Sequence, residues 1–346
     1  MTEMAMRAAQ DEQSDRQAGR IVIAGAGSIG CFVGGLLAAA GRDVVLLGRR
    51  RLVEELGRHG LRVTSFGGLD IALPAGSVAV SDDPAVLREA ALVLVCVKSA
   101  DTPAMAAIIA AQAPAGAVVV SLQNGVANVE VLQRALPGRV ALGGMVPFNV
   151  VALGDGRFHR ATSGDIVVAA GGDVAPRLAV PGLTVRESDR IAAVQWGKLL
   201  VNLNNALNAL SGLPLRQQLS SRPWRRLLAD QIDEALAVLA AAGIAPQSTT
   251  PLPPHWTPRI LRLPDALFRL VAGAMIRIDP QARSSMWEDL QRGRATEIDY
   301  LQGEVIALAL RHGVPVPLTV RIRDLVKAAE GRGGSPGFGV DHIRGG

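Results

Sequence analysis

From Ile21 onward the chain alternates short apolar runs with stretches whose apolar positions recur at helical spacing. Arg20–Ala24 is a compact apolar run that stops at glycines, and Ser28–Ala40 after it reads as a helix. A second run, Asp43–Leu47, precedes a second helix over Arg50–Arg58. Leu61–Thr64 and Leu69–Leu73 flank the pair Gly67-Gly68 as two short strands. Leu92–Val97 and Val118–Leu122 are continuous β-branched runs, the pattern of parallel strands buried on both faces, and Ala141–Val146 supplies another. Strands alternating with helices predict an α/β domain with a doubly wound parallel sheet.

Past about Phe158 the alternation loosens, with Asp165–Ala169 and Leu183–Arg186 as the last strands. From Ile191 nearly everything reads helical: Ala192–Leu210, Trp224–Ala242, Ala266–Ile276, Ser284–Gln291, Ile298–His312 and Thr319–Glu330. Pro246–Pro258, rich in Pro, Ser and Thr, reads as a loop. The expected organisation is a flexible N-terminal extension over 1–20 and an N-terminal domain over 21–188. An all-α C-terminal domain over 189–330 and a flexible, glycine-rich tail over 331–346 complete it. There is no internal repeat.

Composition narrows the functional classes. With 346 residues, 49% of them apolar, the chain is long enough for two cored domains and unlike a disordered one. No apolar run reaches the roughly 18–20 residues that span a bilayer, and the polar N-terminus lacks the apolar core of a signal peptide. Cys31 and Cys96 have no metal-ligand spacing, and two thiols without a targeting signal suit a reducing cytoplasm. The net charge of +5 comes from arginine: lysine occurs only at Lys98, Lys198 and Lys327, leaving 33 arginines among 36 basic residues. These are scattered and aromatics are only 3%, which excludes a nucleic-acid surface. The scarcity of lysine directs attention to where it persists. An arginine is in effect always protonated, whereas a lysine can give up and regain a proton once its pKa is lowered. Lys98 and Lys198 therefore draw attention, with the plain alternative of an ordinary surface lysine open for each; Lys327 reads as such a surface lysine.

Gly25-Ala26-Gly27-Ser28-Ile29-Gly30 follows the first strand and opens the first helix, the setting of a Rossmann-type dinucleotide fingerprint. Gly25 permits the tight turn, Gly27 lets the backbone approach a pyrophosphate, and Gly30 allows close packing of helix on strand. Free N–H groups and the helix dipole at that terminus attract the anion. Enzymes that take NAD usually carry an acid at the end of the second strand, about 20 residues on, to bind the ribose 2′-OH. Here that strand ends Leu47-Gly48-Arg49-Arg50-Arg51, with no acid. Arg49, then Arg50, matches a 2′-phosphate instead, so NADP(H) is the expected cofactor. The plainer alternative is that these arginines only solvate the start of a helix.

Three further segments carry polar groups at helical spacing. In WGKLLVN (Trp196–Asn202), Lys198 and Asn202 are one turn apart on one face, and Asn205 follows on nearly the same stripe of an otherwise apolar helix. SSMWEDL begins at Ser284 and TEIDYLQG at Thr296. The plainer alternatives are a surface lysine at Lys198 and a helix-capping acid at Glu297. The histidines form no metal pattern, and no metal is expected.

Taken in order, GAGSIG, VKSADT, QNGV, WGKLLVN, SSMWEDL and TEIDYLQG resemble the ketopantoate reductase (2-dehydropantoate 2-reductase) family, from about Ile21 to about Glu330. The resemblance implies a Rossmann domain plus a helical domain with the site in the cleft. It also implies NADPH-dependent reduction of a small 2-keto acid to pantoate, toward coenzyme A. By position, Lys198 matches the family's proton donor, and Asn202 a substrate-binding asparagine. Asn124 in QNGV matches one lying between nicotinamide and substrate. Ser285 matches a ligand of the substrate carboxylate, Glu297 the glutamate near lysine and cofactor, and Lys98 a lysine near the cofactor. A close Glu297 would raise the lysine pKa and desolvation would lower it. The chain departs from the family where many relatives have a second substrate asparagine, since that position is Ala206 here; Asn205 or Asn208 could serve instead. Between Ser285 and Glu297, Gly293 offers a helix break that could bring both to one cleft. The departure keeps open a related reductase of another keto acid. A cofactor-sensing regulator without turnover is the rival from a different class, and retention of Lys198 and Glu297 argues against it. The helical domain could support a homodimer, with no residue-level signal for one.

Overall fold

The computed structural model describes residues 19–248, 252–273 and 281–345. The extension expected over 1–20 lies almost wholly outside them, as do the middle of the loop over 246–258 and the end of the helix over 266–276. The chain divides into two compact units, one running to Gln123 and resuming over Ala127–Ile191, the other comprising Asn124–Val126 and Ala192 onward.

The first unit is built on an eight-stranded sheet in the order β12-β11-β8-β7-β6-β1-β2-β5. Its parallel part comprises β1 (Arg20–Ala24), β2 (Val44–Leu47), β5 (Ala79–Ser81), β6 (Ala90–Val95), β7 (Val118–Ser121) and β8 (Ala141–Met145). Read from β5 to β8, this is the strand order of a doubly wound dinucleotide-binding fold. At the edge, β11 (Ile166–Ala169) runs antiparallel to β8 and pairs in parallel with β12 (Val185–Ser188). Because side chains alternate along a strand, each central strand feeds two cores. Ile21, Ile23, Val44, Leu46, Leu92 and Leu94 join one, while Val22, Val45, Leu47, Val93, Val95 and Val119 join the other. Helix α1 (Ser28–Ala39) covers the first core, and α3 (Thr102–Gln112) with α4 (Asn128–Ala135) covers the second. Helix α2 (Arg50–His59) connects β2 to β3.

A second sheet, in the order β4-β3-β10-β9, is an addition to the single sheet expected from the sequence. It joins β3 (Leu61–Ser65) and β4 (Asp70–Leu73) to β9 (Val150–Gly154) and β10 (Arg157–Arg160). Helix α1 lies between the two sheets, which explains an apolar character all round. Its glycine pair sets the spacing: a Cβ on Gly34 would stand 2.5 Å from Leu46 Cδ2, and one on Gly35 2.9 Å from Val63 Cγ1.

The second unit is helical: α6 (Ile191–Asn202), α7 (Asn204–Ser211), α8 (Leu215–Ser220), α9 (Arg222–Ala241), α10 (Thr257–Leu261), α11 (Asp265–Ala272), α12 (Ser285–Gln291), α13 (Ile298–His312), α14 (Pro317–Ala329) and α15 (Val340–Arg344), after the short α5 (Val174–Leu178) of the first unit. Leu203, Leu207, Leu210, Leu227, Ile298 and Ile322 are fully buried in its shared core. Two features differ from the sequence expectation. The helix expected over Ala192–Leu210 is broken at Leu203, whose carbonyl accepts from Gln302 Nε2 at 3.0 Å. A side chain inserted into the backbone ladder is a recognised cause of such a break. Residues 331–345, expected as a flexible tail, fold back on the unit. Ile343 is fully buried, Phe338 N–H donates to Leu210 O at 2.9 Å, and Arg321 donates to the carbonyls of His342 and Ile343. No helix among the described residues is long and apolar enough to cross a membrane.

Candidate functional site

In the first unit, the GAGSIG segment forms the turn from β1 into α1. Gly25 sits at φ +92°, where a Cβ would also meet Val97 Cγ1 at 2.3 Å and the Val97 nitrogen at 2.7 Å, so no other residue fits without strain. Gly30 is similarly confined, 2.8 Å from Ile23 Cγ2. Gly27 differs: a Cβ there would meet nothing within 4 Å. Packing does not require that glycine, whereas a ligand pressed against the backbone would. The turn is locked by Gly25 and Ala26 N–H donating to Leu47 O at 3.0 and 2.9 Å. Ser28 and Ile29 open the helix, whose first turn holds no acid to repel an anion. These residues fit a dinucleotide pyrophosphate.

Arg49 immediately precedes α2 at the end of β2, with its side chain 93% exposed and only a 3.9 Å approach to Asp101. An exposed ion pair of that length contributes little, so the guanidinium is available to a stronger anion. Arg50 pairs with Glu54 on the helix surface at 3.2 Å, which leaves Arg49 the better candidate. Lys98 lies just past β6, exposed, at the start of a short 3-10 turn.

The second unit brings together Lys198, Asn202, Asn124 and Glu297. Lys198 and Asn202 share a face of α6, one turn apart. Asn202 Nδ2 donates to Asn124 Oδ1 at 3.4 Å, and Asn124 Nδ2 donates to Glu297 Oε2 at 3.3 Å. Lys198 is half-buried, and burial brings its pKa down to about 8 from the ordinary 10.5. Of the two opposed effects expected from the sequence, desolvation prevails. Next to it, a Cβ on Gly197 would stand 1.9 Å from the Gln247 carbonyl, so the segment after α9 lies directly against the lysine helix. Glu297 precedes α13 without capping it through its side chain. Thr296 does so instead, its hydroxyl accepting from Ile298 N–H at 3.2 Å.

Other sequence candidates fall elsewhere. Asn205 lies beyond the break at Leu203, half-buried, with its carbonyl accepting from Ser284 Oγ at 3.1 Å. The broken helix ends the stripe on which Lys198, Asn202 and Asn205 were expected to align. Asn208 is committed to structure: its amide donates to Leu213 O and Gln218 Oε1, and its Oδ1 accepts from Ser284 N–H. Ala206 is fully buried in the core. Ser284 caps α12 by accepting from Trp287 N–H, which leaves Ser285 exposed at the first helical position. Gly293 does break the chain between α12 and α13, at φ +61°.

Sequence reasoning missed two polar assemblies. Arg225 is wholly buried; it donates to the carbonyls of Leu219, Ser220, Leu261 and Leu263 and to Asp265, and stacks 4.1 Å from the Phe268 ring centroid. Among 33 arginines nothing local marks this one. The other is a buried set around Gln123 and Thr102 in the first unit. Its members stand in or near VKSADT and QNGV, but a motif does not reveal which side chains face inward.

The family described as "Ketopantoate reductase PanE/ApbA" matches residues 21–172, and its C-terminal counterpart, "Ketopantoate reductase PanE/ApbA C terminal", matches 190–330. The 2-dehydropantoate 2-reductase of Halobacterium salinarum is 29% identical over 325 residues, covering 90% of this chain and 99% of that protein. The structure of a PanE/ApbA family ketopantoate reductase from Ralstonia eutropha JMP134 is similar at TM-score 0.77 and 30% identity, covering 91% of this chain and 99% of that one. A D-mandelate dehydrogenase solved with NADH and anilino(oxo)acetate shares the fold at TM-score 0.75 and 21% identity, over 90% of this chain and 98% of its own. The turn, the lysine helix and the asparagine–glutamate chain therefore stand in a protein that belongs to the ketopantoate reductase family of oxidoreductases.

Proposed function

We propose that this protein catalyses the NADPH-dependent reduction of 2-dehydropantoate (ketopantoate) to pantoate, a step toward pantothenate and coenzyme A, with Lys198 as proton donor. The carrying observation is the half-buried Lys198, with a pKa of about 8, one turn from Asn202 in a chain of amides leading to Glu297. Gly25–Gly30 would hold the pyrophosphate of the cofactor, Lys98 would lie near it, and Arg49 would take the 2′-phosphate. A reduced nicotinamide held there would supply the hydride that the ketone carbon accepts. Negative charge then grows on the ketone oxygen, where the Lys198 ammonium stabilises it and gives up one proton to form the hydroxyl. Asn202 and Asn124 orient substrate and cofactor by their amides, Glu297 anchors Asn124, and Ser285 offers its hydroxyl to the substrate carboxylate. A sensor of NADP(H) without turnover has no use for a lysine whose pKa is brought close to working pH.

The test follows NADPH absorbance with ketopantoate and a panel of other 2-keto acids, repeated with NADH. The expected result is turnover with ketopantoate and preference for NADPH. Turnover only with another keto acid would correct the substrate. Tight NADPH binding with no turnover on any of them would overturn the enzyme reading. Arg49→Ser is expected to raise KM for NADPH while leaving KM for NADH nearly unchanged. An equal change for both would remove Arg49 from the 2′-phosphate site.

A further inference from the structure

At the ends of β6 and β7 in the first unit, five polar side chains are buried together: Ser99 (1% exposed), Thr102 (0%), Ser121 (1%), Gln123 (8%) and Asn128 (5%). Gln123 Nε2 donates to Val97 O at 2.9 Å and to Thr102 Oγ1 at 2.7 Å, while its Oε1 accepts from Ser121 Oγ at 3.0 Å. Thr102 Oγ1 passes the chain on to Asn128 Oδ1 at 2.8 Å, and Asn128 Nδ2 donates to Ser99 Oγ at 3.1 Å. Both hydrogens and the oxygen of the Gln123 amide are thereby used. A buried polar set contributes rigidity when satisfied and costs stability when broken, whereas apolar residues would fill the same space at no such risk. The rest of this sheet is filled that way, so the set calls for a cause beyond packing.

Its position supplies one. The network grips the residues on either side of Lys98: Val97 through its carbonyl and Ser99 through its hydroxyl. The Lys98 carbonyl is held as well, accepting from Asp101 N–H at 2.9 Å. Lys98 itself is exposed, at the carboxyl end of a central parallel strand, the edge where open α/β sheets bind ligands. An exposed lysine on a flexible loop would lose conformational entropy whenever it engaged an anion. One whose main chain is fixed from below loses less.

We infer that the Gln123–Thr102–Asn128–Ser99 network is a positioning device that fixes the main chain of Lys98 for contact with the dinucleotide cofactor. The inference rests on the reading of Lys98 as a cofactor-binding residue. It makes Thr102, Gln123 and Asn128 positioning residues, acting only through Lys98.

A double-mutant cycle on the full chain tests it, with NADPH affinity measured by fluorescence at equilibrium. Lys98→Ala and Thr102→Val are each expected to weaken NADPH binding on the order of tenfold. Lys98→Ala/Thr102→Val is expected to be no weaker than Lys98→Ala alone, and Thr102→Ser, which keeps the hydroxyl, to restore wild-type affinity. If Lys98→Ala weakens binding but Thr102→Val does not, or the two effects multiply in full, the positioning inference is overturned and the reading of Lys98 stands. If Lys98→Ala leaves affinity unchanged, that reading fails and the inference with it. Should Thr102→Val not accumulate as folded protein, Asn128→Ser, which withdraws the donor from Ser99, carries the same cycle.

Discussion

Lys198 is one of three lysines set against 33 arginines, and in the proposed role of proton donor an arginine would not serve. A guanidinium stays charged at any working pH, whereas an ammonium with a pKa brought down by burial can donate its proton and recover it. The sign of the pH dependence follows. With Lys198 as the proposed acid, reduction needs its protonated form, so kcat for reduction is expected to be full below pH about 8 and to fall as pH rises through that value. Oxidation of the hydroxy acid needs the neutral amine and is expected to rise through the same range. Profiles of kcat in both directions check this, and an alkaline limb absent from the reduction profile would detach Lys198 from proton transfer. The pairing of Lys198 with Asn202 on one face was legible in the sequence, because the two are a helical turn apart whatever the tertiary structure, whereas the direction of the lysine pKa shift stood open between a close carboxylate and desolvation. The places of Asn205 and Asn208 were not legible, because Asn205 lies beyond the break where the amide of Gln302, from far along the chain, meets the carbonyl of Leu203, and Asn208 is held by Leu213, Gln218 and Ser284.

Elements divide in the same way. The turn between β1 and α1 is a local structure, and its glycine spacing announces it. The structure adds that its glycines are required for different reasons. Gly25→Ala adds a Cβ in a left-handed conformation against the Val97 backbone and is expected to destabilise the fold by about 1–3 kcal/mol. Gly27→Val branches from a Cβ position with nothing within 4 Å, so stability is expected to hold while NADPH affinity falls on the order of tenfold. Thermal unfolding and equilibrium binding of the two variants separate the cases; a Gly27→Val protein that binds NADPH normally would place the pyrophosphate elsewhere. The four-stranded sheet was less legible. Its strands come from two distant segments, 61–73 and 150–160, and β9 is largely exposed, so its apolar pattern has no buried face to report.

At the scale of the whole molecule, the sequence separates an α/β unit from a helical one because strand and helix periodicities change near residue 190. Long-range docking escapes such reading. The glycine-rich residues after 330 look unstructured in isolation, yet Ile343 is fully buried and Arg344 reaches Asp230 at 2.5 Å. Ile343→Ala is accordingly expected to cost about 2–5 kcal/mol in urea unfolding, where a frayed tail would register almost nothing. The central claim also belongs to this scale: the molecule turns substrate over instead of only holding a cofactor, and Lys198 is its acid. Its most direct test is to measure kcat with ketopantoate and NADPH affinity together on Lys198→Ala. The account predicts kcat lower by roughly 10²–10⁴-fold with NADPH affinity essentially that of the wild type. A kcat unchanged within about twofold, a difference of roughly 0.4 kcal/mol, would contradict it.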